Sequence, residues 1–303
     1  MKQTGSFTAA EAADSAGTLY ICSTPIGNMR DITLRVLEVL QAVDLIAAED
    51  TRTTVKILNH FDIQTPLTSY HQHNEAGKSQ KILKSLADGQ DVALVSDAGT
   101  PGISDPGSVV IMSAIEAGFP IAAVPGPTAC MAALVVSGIA TDRFCFEGFL
   151  PRKKKEKRHR LEELSEDPRT LIFYEAPHRV QETLEDMTTA FVGRRCALVR
   201  ELTKKFEQVQ RGLLQEVLDR VCEEAPRGEY VIVVEGLQRD AGKKKAYDEG
   251  MLLSAYEHVY MLIQQGNTKT EAVKKAAGLR GLPRKVLYHH VLSIPSIPME
   301  SDE

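Results

Sequence analysis

The segment 96–107, SDAGTPGISDPG, places three glycines (Gly99, Gly102, Gly107) and two prolines (Pro101, Pro106) within twelve residues. Glycine lets a backbone approach a ligand closely, and proline stiffens the loop that does so. The carboxylate of Asp97 stands at the head of this loop, where it suits a ribose hydroxyl or an ammonium. The spacing is neither the G-x-G-x-x-G dinucleotide loop nor the G-x-x-x-x-G-K-[ST] phosphate loop, so neither cradle is expected. A plain Gly/Pro turn with an Asx cap would use the same residue types. A second Gly/Pro turn, PGPTA, occupies 125–129.

Two further stretches, 23–33 (STPIGNMRDIT) and 49–52 (EDTR), contribute Asn28, Asp31, Glu49, Asp50 and Arg52. At neighbouring strand ends they would form one polar constellation at a sheet rim, although helix capping and local ion pairs draw on the same residues. His71 and His73, in YHQHNE at 70–75, are two apart with no third ligand at fixed spacing, so no metal is expected. Cations gather in two places. Seven Lys/Arg and one Glu fill 152–160 (RKKKEKRHR), beside Phe144, Phe146 and Phe149, and six Lys/Arg stand against Glu271 alone in 268–290, which also holds Tyr288. Such runs are the footprint of phosphate contacts as well as of solvated surface.

These loops need rigid elements behind them. Apolar runs at 18–22, 44–48, 92–96 and 121–124 read as strands, each followed by turn residues and an amphipathic stretch at 34–42, 53–60, 79–86 or 108–117. That alternation predicts βαβ units and a mostly parallel, buried sheet, with ligands beyond the carboxyl ends of its strands. A second set follows a helix at 126–136: strands at 144–149, 170–174, 197–202 and 230–234, helices at 153–164, 179–191 and 213–222, with Arg211-Gly212 and 227–229 as turns. A mixed sheet fits it. Helices are expected at 248–263, 269–277 and 283–292 after a linker at 240–245. The expected division is a disordered tail at 1–16, α/β domains at 17–126 and 127–238, and a helical module at 247–292.

The whole chain has 303 residues, 36 Lys plus Arg against 41 Asp plus Glu, a net charge of -5 and 43% hydrophobic residues. This is a globular composition, and no apolar run reaches the roughly 18–20 residues of a membrane helix, so a cytoplasmic protein without a membrane is expected. Five cysteines without a C-x-x-C pair argue against a disulfide framework or zinc site. Residues 237–303 carry ten Lys/Arg against eight Asp/Glu, a formal +2, which leaves -7 for 1–236. The bulk acidity excludes a general polycation but leaves room for localised basic surfaces.

Taken in order, Tyr20-x-x-Ser23-Thr-Pro-Ile-Gly-Asn28, Ala48-Glu-Asp-Thr-Arg52, SDAGTPGISDPG, Pro125-Gly-Pro-Thr128, Tyr174-Glu-Ala-Pro-His-Arg179 and Gly228-Glu-Tyr-Val231 resemble the ribosomal small subunit methyltransferase I family of the tetrapyrrole methylase superfamily. The resemblance runs from about residue 18 to 236, and the basic tail looks like the family's RNA-binding module. It implies two α/β domains with a cofactor cleft between them and S-adenosylmethionine-dependent methylation of the ribose 2′-oxygen of a cytidine in the decoding region of 16S rRNA. It also implies a homodimer that works on the small ribosomal subunit. Carried onto this chain, the cofactor site is Asp97, Gly99, Thr100, Thr128, Ala129, Tyr174, Gly228 and Glu229. A base among Asp31, Glu49 and Asp50 would activate the ribose hydroxyl, with Asn28 and Arg52 orienting it. Lys153, Lys154, Lys155, Arg158, Lys274, Lys275, Arg284 and Lys285 would hold the RNA. A tetrapyrrole or other small-molecule methylase would share the loops but not need the basic segments, and a non-catalytic RNA-binding protein would need only those segments.

Overall fold

The computed structural model describes residues 16–223, 226–238, 255–280, 282–285 and 287. Residues 1–15 of the expected tail at 1–16, the linker at 240–245, and the ends of the first and third expected C-terminal helices at 248–254 and 288–292 lie outside the described residues. Contacts divide the chain into two compact units, Met1–Leu237 and Gln238–Glu303.

The first unit holds two five-stranded sheets. Strands β1 (Leu19–Cys22), β2 (Leu45–Ala48), β3 (Leu67–Ser69), β4 (Val92–Val95) and β5 (Ile121–Val124) form an all-parallel sheet in the order β3-β2-β4-β1-β5. LYIC, LIAA and VALV are apolar on both faces because helices cover both faces. Helices α1 (Leu34–Ala42) and α2 (Thr51–His60) pack on the side of Cys22, Ala93 and Val95. Helices α3 (Glu75–Ala87) and α4 (Ser108–Glu116) pack on the side of Leu19, Ile21, Val92 and Leu94. The β1 connection runs toward β2 and the β4 connection runs the opposite way to β5, so neighbouring strands β1 and β4 flank the topological switch point. The two loops leave these neighbouring strands for helices on opposite faces of the sheet.

Helix α5 (Ala129–Ser137) leads to the second sheet. Its strands β6 (Phe144–Phe149), β7 (Thr170–Glu175), β8 (Arg195–Arg200), β9 (Gln208–Leu213) and β10 (Tyr230–Val234) run in the order β6-β7-β10-β8-β9. Only β6 and β7 are parallel, so the sheet is mixed. One face carries α6 (Lys154–Leu164), α7 (Val180–Ala190) and α8 (Leu214–Glu223), and α5 covers the other through Cys130, Ala133 and Leu134. Arg211-Gly212 is not a turn as expected but lies within β9, hydrogen-bonded along β8. In the second unit, α9 (Ala255–Gln264) and α10 (Lys269–Arg280) pack through Val259, Leu262, Val273 and Ala276. Thr268 and Glu271 cap α10 reciprocally: the Glu271 N–H donates to Thr268 Oγ1 at 3.3 Å and the Thr268 N–H to Glu271 Oε2 at 3.1 Å.

The basic run at 152–160 is not uniformly solvated. Lys157 is 2% exposed and aligns with Leu161 and Leu164 on the inner face of α6, where its Nζ meets Asp186 at 2.8 Å and Glu182 at 3.2 Å. Removing one partner of a buried ion pair strands the other charge. Arg158 still pairs with Asp186 at 2.9 Å, so Lys157→Ala is expected to lower unfolding free energy by about 1–3 kcal/mol in urea titration, whereas Lys154→Ala, on the exposed face, leaves the midpoint nearly unchanged.

Candidate functional site

Two backbone hydrogen bonds join the loops that leave β1 and β4. The Thr24 N–H donates to Gly99 O at 2.8 Å and the Gly99 N–H to Thr24 O at 3.0 Å, while Thr24 Oγ1 donates to Ser96 O at 3.0 Å. Gly99 sits at φ +84°, a region L side chains rarely adopt. Beyond this clasp a chain of hydroxyls links three strand ends: Ser23 Oγ to Thr100 Oγ1 at 2.8 Å, and Thr100 Oγ1 to Thr128 Oγ1 at 3.1 Å. The turn after β5 can close on Ser23 because Gly126 has no Cβ; one there would lie 2.8 Å from Ser23 Cβ. The Cys130 N–H in the first turn of α5 donates to the Tyr174 hydroxyl at 3.0 Å, tying this rim to β7.

A cavity of about 340 Å³ opens inside this rim. Ile26, Ile103, Phe149 and Val231 supply apolar wall, and Asp105, Glu175 and Glu229 supply carboxylates. Tyr174 meets Phe149 edge-on at 5.6 Å. The lining includes no Lys, Arg or His. Aromatic faces and carboxylates without a competing cation fit an amphipathic ligand that carries positive charge, such as a sulfonium or an ammonium. Of the expected cofactor residues, Gly99, Thr100, Thr128, Ala129, Tyr174 and Glu229 line this cavity.

Asp97 and Gly228 do not line it. Asp97 turns back over the sheet, where its Oδ1 accepts from the Asp50 N–H at 3.0 Å and its own N–H donates to Glu49 Oε2 at 3.2 Å. Gly228, at φ +81°, makes room for Glu201, whose Oε1 accepts the Glu229 N–H at 3.1 Å; a Cβ at 228 would lie 2.4 Å from that oxygen. Gly228 thus leaves space for the contact that fixes Glu229, which lines the cavity, whereas neither hydrogen-bonded neighbour of Asp97 lines it. Sequence reasoning missed Ser104, Asp105, Phe149, Pro177 and Tyr230, among others that line it.

A second cavity of about 450 Å³ is mostly polar, lined by Glu49, His71, Gln72, His73, Glu75 and Ser108 together with Ser104, Asp105 and Pro106. The two cavities share Ser104 and Asp105. The five residues expected to do chemistry separate here. Glu49 lines the second cavity, its carboxyl raised by burial and then by the charges of Asp97 and Asp50. Asp50 instead caps α2 and pairs with Arg52 at 2.6 Å, which holds its carboxyl down to about 2 and makes it a poor proton acceptor. Arg52 is almost wholly exposed in that pair. Asn28 caps a short 3-10 turn at Met29–Asp31, and its N–H donates to Thr203 Oγ1 at 3.0 Å. This draws the β1 loop toward the second sheet's loops, so neither Asn28 nor Asp31 lines either cavity.

Of the residues expected to meet RNA, Lys154, Lys155 and Arg158 line a surface groove with His159 and Glu162. Lys153 is exposed and pairs with Glu156, and Arg158 also pairs with Asp186. Lys274, Lys275, Arg284 and Lys285 are exposed in the second unit.

The family described as Tetrapyrrole (Corrin/Porphyrin) Methylases matches residues 18–218. A Halalkalibacterium halodurans protein named ribosomal RNA small subunit methyltransferase I is 44% identical over 276 residues, covering 91% of this chain and 95% of that one. A Synechocystis protein of the same name is 46% identical over 280 residues, covering 92% and 98%. Among solved structures, a uroporphyrin-III C-methyl transferase from Thermus thermophilus, complexed with S-adenyl homocysteine, is similar at a TM-score of 0.52 and 16% identity, over 72% of this chain and 97% of that one, which shows a shared fold.

Asp105 gives the site a pH signature. Burial, then the charges of Glu49 and Asp97, push its carboxyl from 3.8 up to about 7. Between those values the folded state binds more protons than the unfolded state, so this residue costs stability as pH rises and the full cost is present above 7. Asp105→Asn is expected to raise the melting temperature at pH 8, with the gain shrinking as pH falls toward 4, read by thermal unfolding across that range.

Proposed function

Because the chain belongs to the tetrapyrrole methylase family, and within it to the ribosomal RNA small subunit methyltransferase I proteins, we propose that it methylates the ribose 2′-oxygen of a cytidine in the decoding region of 16S rRNA with S-adenosylmethionine. The observation that carries this reading is the convergence of six expected cofactor residues on one cation-compatible cavity at the switch point of the parallel sheet.

S-adenosylmethionine, when bound, supplies a methyl group already activated on a sulfonium. The work left to the protein is largely positioning. Gly99 and Thr100 offer close backbone and a hydroxyl, Thr128 and Ala129 stand at the N-terminus of α5, which favours an anionic group, and Phe149, Tyr174 and Glu229 face the cationic part. Asp97 and Gly228 hold Glu49, Asp50 and Glu229 in place. Of the three carboxylates expected to serve as base, Glu49 alone borders a cavity.

The exposed cations Lys153, Lys154, Lys155 and Arg158 on the first unit, and Lys274, Lys275, Arg284 and Lys285 on the second, serve phosphate contacts along the RNA, presented within the small ribosomal subunit. A homodimer is supported by the apolar side chains that α4 and α5 leave exposed, among them Met112, Ile115, Met131 and Val135. Patches of this kind mark protein contacts. No helix among the described residues is long and apolar enough to cross a membrane, and an rRNA substrate supports a cytoplasmic location.

Methyl transfer from labelled S-adenosylmethionine to 16S rRNA, free and in assembled subunits, followed by mapping of the modified nucleotide, tests this reading. Label at a cytidine 2′-oxygen is expected; label in a tetrapyrrole with none in RNA contradicts it. Replacing both Lys154 and Lys155 with Ala is expected to weaken RNA binding and flatten its log–log salt slope by about 0.7–0.9 for each phosphate that these lysines neutralise. Calorimetric affinity for S-adenosylhomocysteine should stay unchanged.

A further inference from the structure

The loop between β8 and β9, ELTKKFE at 201–207, is rigidly built and yet carries an exposed ring. Glu201 and Thr203 adopt left-handed φ values of +51° and +64°, a conformation that non-glycine residues keep where surrounding contacts enforce it. Those contacts are present. The Thr203 N–H donates to Glu207 Oε2 at 2.7 Å, the Lys204 N–H to Glu201 O at 3.0 Å and the Glu207 N–H to Lys204 O at 3.1 Å. The loop also packs on the β1 loop: Thr203 Oγ1 accepts the Asn28 N–H at 3.0 Å, and a Cβ on Gly27 would lie 2.6 Å from Lys204 Cγ. Lys204 Nζ then donates at 2.6 Å to Glu229, which lines the first, largely apolar cavity and is exposed at its edge.

Phe206, two residues beyond Lys204, is 70% exposed, so its ring adds little burial to the fold. Lys205 Nζ stands 5.6 Å from the centroid of that ring. The loop's acids are engaged, Glu201 and Glu229 by Lys204 and Glu207 by the Thr203 N–H, whereas Lys205 is exposed beside the ring. Neighbouring segments carry exposed cations as well: Arg30, two residues after Asn28, and Arg227, two before Glu229. A bare aromatic ring among cations, on a loop fixed to the edge of the cofactor cavity, is a fixture for a ligand that combines a flat apolar face with negative charge.

We propose that this loop seats the RNA substrate, with Phe206 stacking on an unpaired base next to the methylated nucleotide and Lys205 meeting the phosphate beside it. The inference rests on the methyl-transfer reading above and adds a positioning residue for its substrate. An unstacked base offers a π-face and a flanking phosphate, the two chemistries that Phe206 and Lys205 present. An apolar protein surface would use the ring but leave the cations without a role. The chain from Lys204 to Phe206 spans at most about 7 Å, so the Lys204–Glu229 pair holds the stacked base close to the cavity that takes the sulfonium. Rigidity serves this purpose, because a ring already held in place gives up little freedom when a base stacks on it.

The chain contains no tryptophan, so Phe206→Trp supplies both a stacking ring and a fluorescent probe without background. The test compares wild type with Phe206→Ala, Phe206→Leu and Phe206→Trp in single-turnover transfer to 16S rRNA, free and in assembled subunits, at saturating S-adenosylmethionine. S-adenosylhomocysteine affinity is read by calorimetry and oligomeric state by sedimentation. Phe206→Ala is expected to raise the RNA concentration for half-maximal rate by about 5- to 150-fold, with S-adenosylhomocysteine affinity unchanged. Phe206→Leu should stay impaired, while Phe206→Trp should restore the wild-type value and lose fluorescence as RNA is added. Wild-type half-saturation in Phe206→Ala, equal rescue by Phe206→Leu, or indole emission that RNA leaves unchanged overturns the assignment. So does a loss of S-adenosylhomocysteine binding that alone explains the defect, or altered sedimentation of Phe206→Ala, which would give the ring to a contact between copies. None of these touches wild-type methyl transfer; wild-type protein that labels no RNA overturns the functional reading and this inference together.

Discussion

Two hydrogen bonds between the backbones of Thr24 and Gly99 close the top of the parallel sheet where its connections diverge. Each is worth only about 0.5–1.5 kcal/mol net, but the geometry they impose reaches far. The clasp sets Ser23 against Thr100 and Thr100 against Thr128, so three strand ends act as one rim. It requires Gly99 in a left-handed conformation, and position 126 requires a glycine as well, because a Cβ there would lie 2.8 Å from Ser23 Cβ. The two glycines serve different physical needs, backbone conformation in one case and space in the other.

Below that rim, charge is distributed unevenly for a reason. Asp50 is neutralised locally by Arg52 and helix capping, while Glu49, Asp97 and Asp105 share a half-buried region without matching cations, and each is raised. Such an arrangement costs stability and is characteristic of functional sites. The nearby cations face outward instead. Lys154 and Lys155 lie on the solvent side of α6, and Lys157, one turn before Leu161, is consumed by Asp186 inside.

Much of the fold was legible because buried parallel strands read as unbroken apolar runs, as in LIAA and VALV, and the antiparallel core strand YVIVV reads the same way. The strands without such a signal, Leu67–Ser69 and Gln208–Leu213, are sheet edges: one is three residues long and the other, QVQRGL, is mostly polar and contains a glycine. For the site, the Gly/Pro loops pointed to the rim on which the first cavity opens, but their side chains diverged for tertiary reasons. Asn28 follows a contact with Thr203, 175 residues away, and Asp97 follows one with the β2 loop. Asp105 belongs to the same SDAGTPGISDPG segment, yet only the folded loop shows it returning to both cavities. The helical spacing of Lys157 with Leu161 and Leu164 was readable and marks it as an inward position.

The most direct measurement is a crystal structure of the protein with S-adenosylhomocysteine and an rRNA fragment containing the target cytidine. The predicted result is the thioether in the apolar cavity beside Gly99 and Thr128, with the ribose 2′-oxygen of the cytidine turned toward its sulfur. The thioether bound outside that cavity, or the cytidine ribose held away from it, would contradict it.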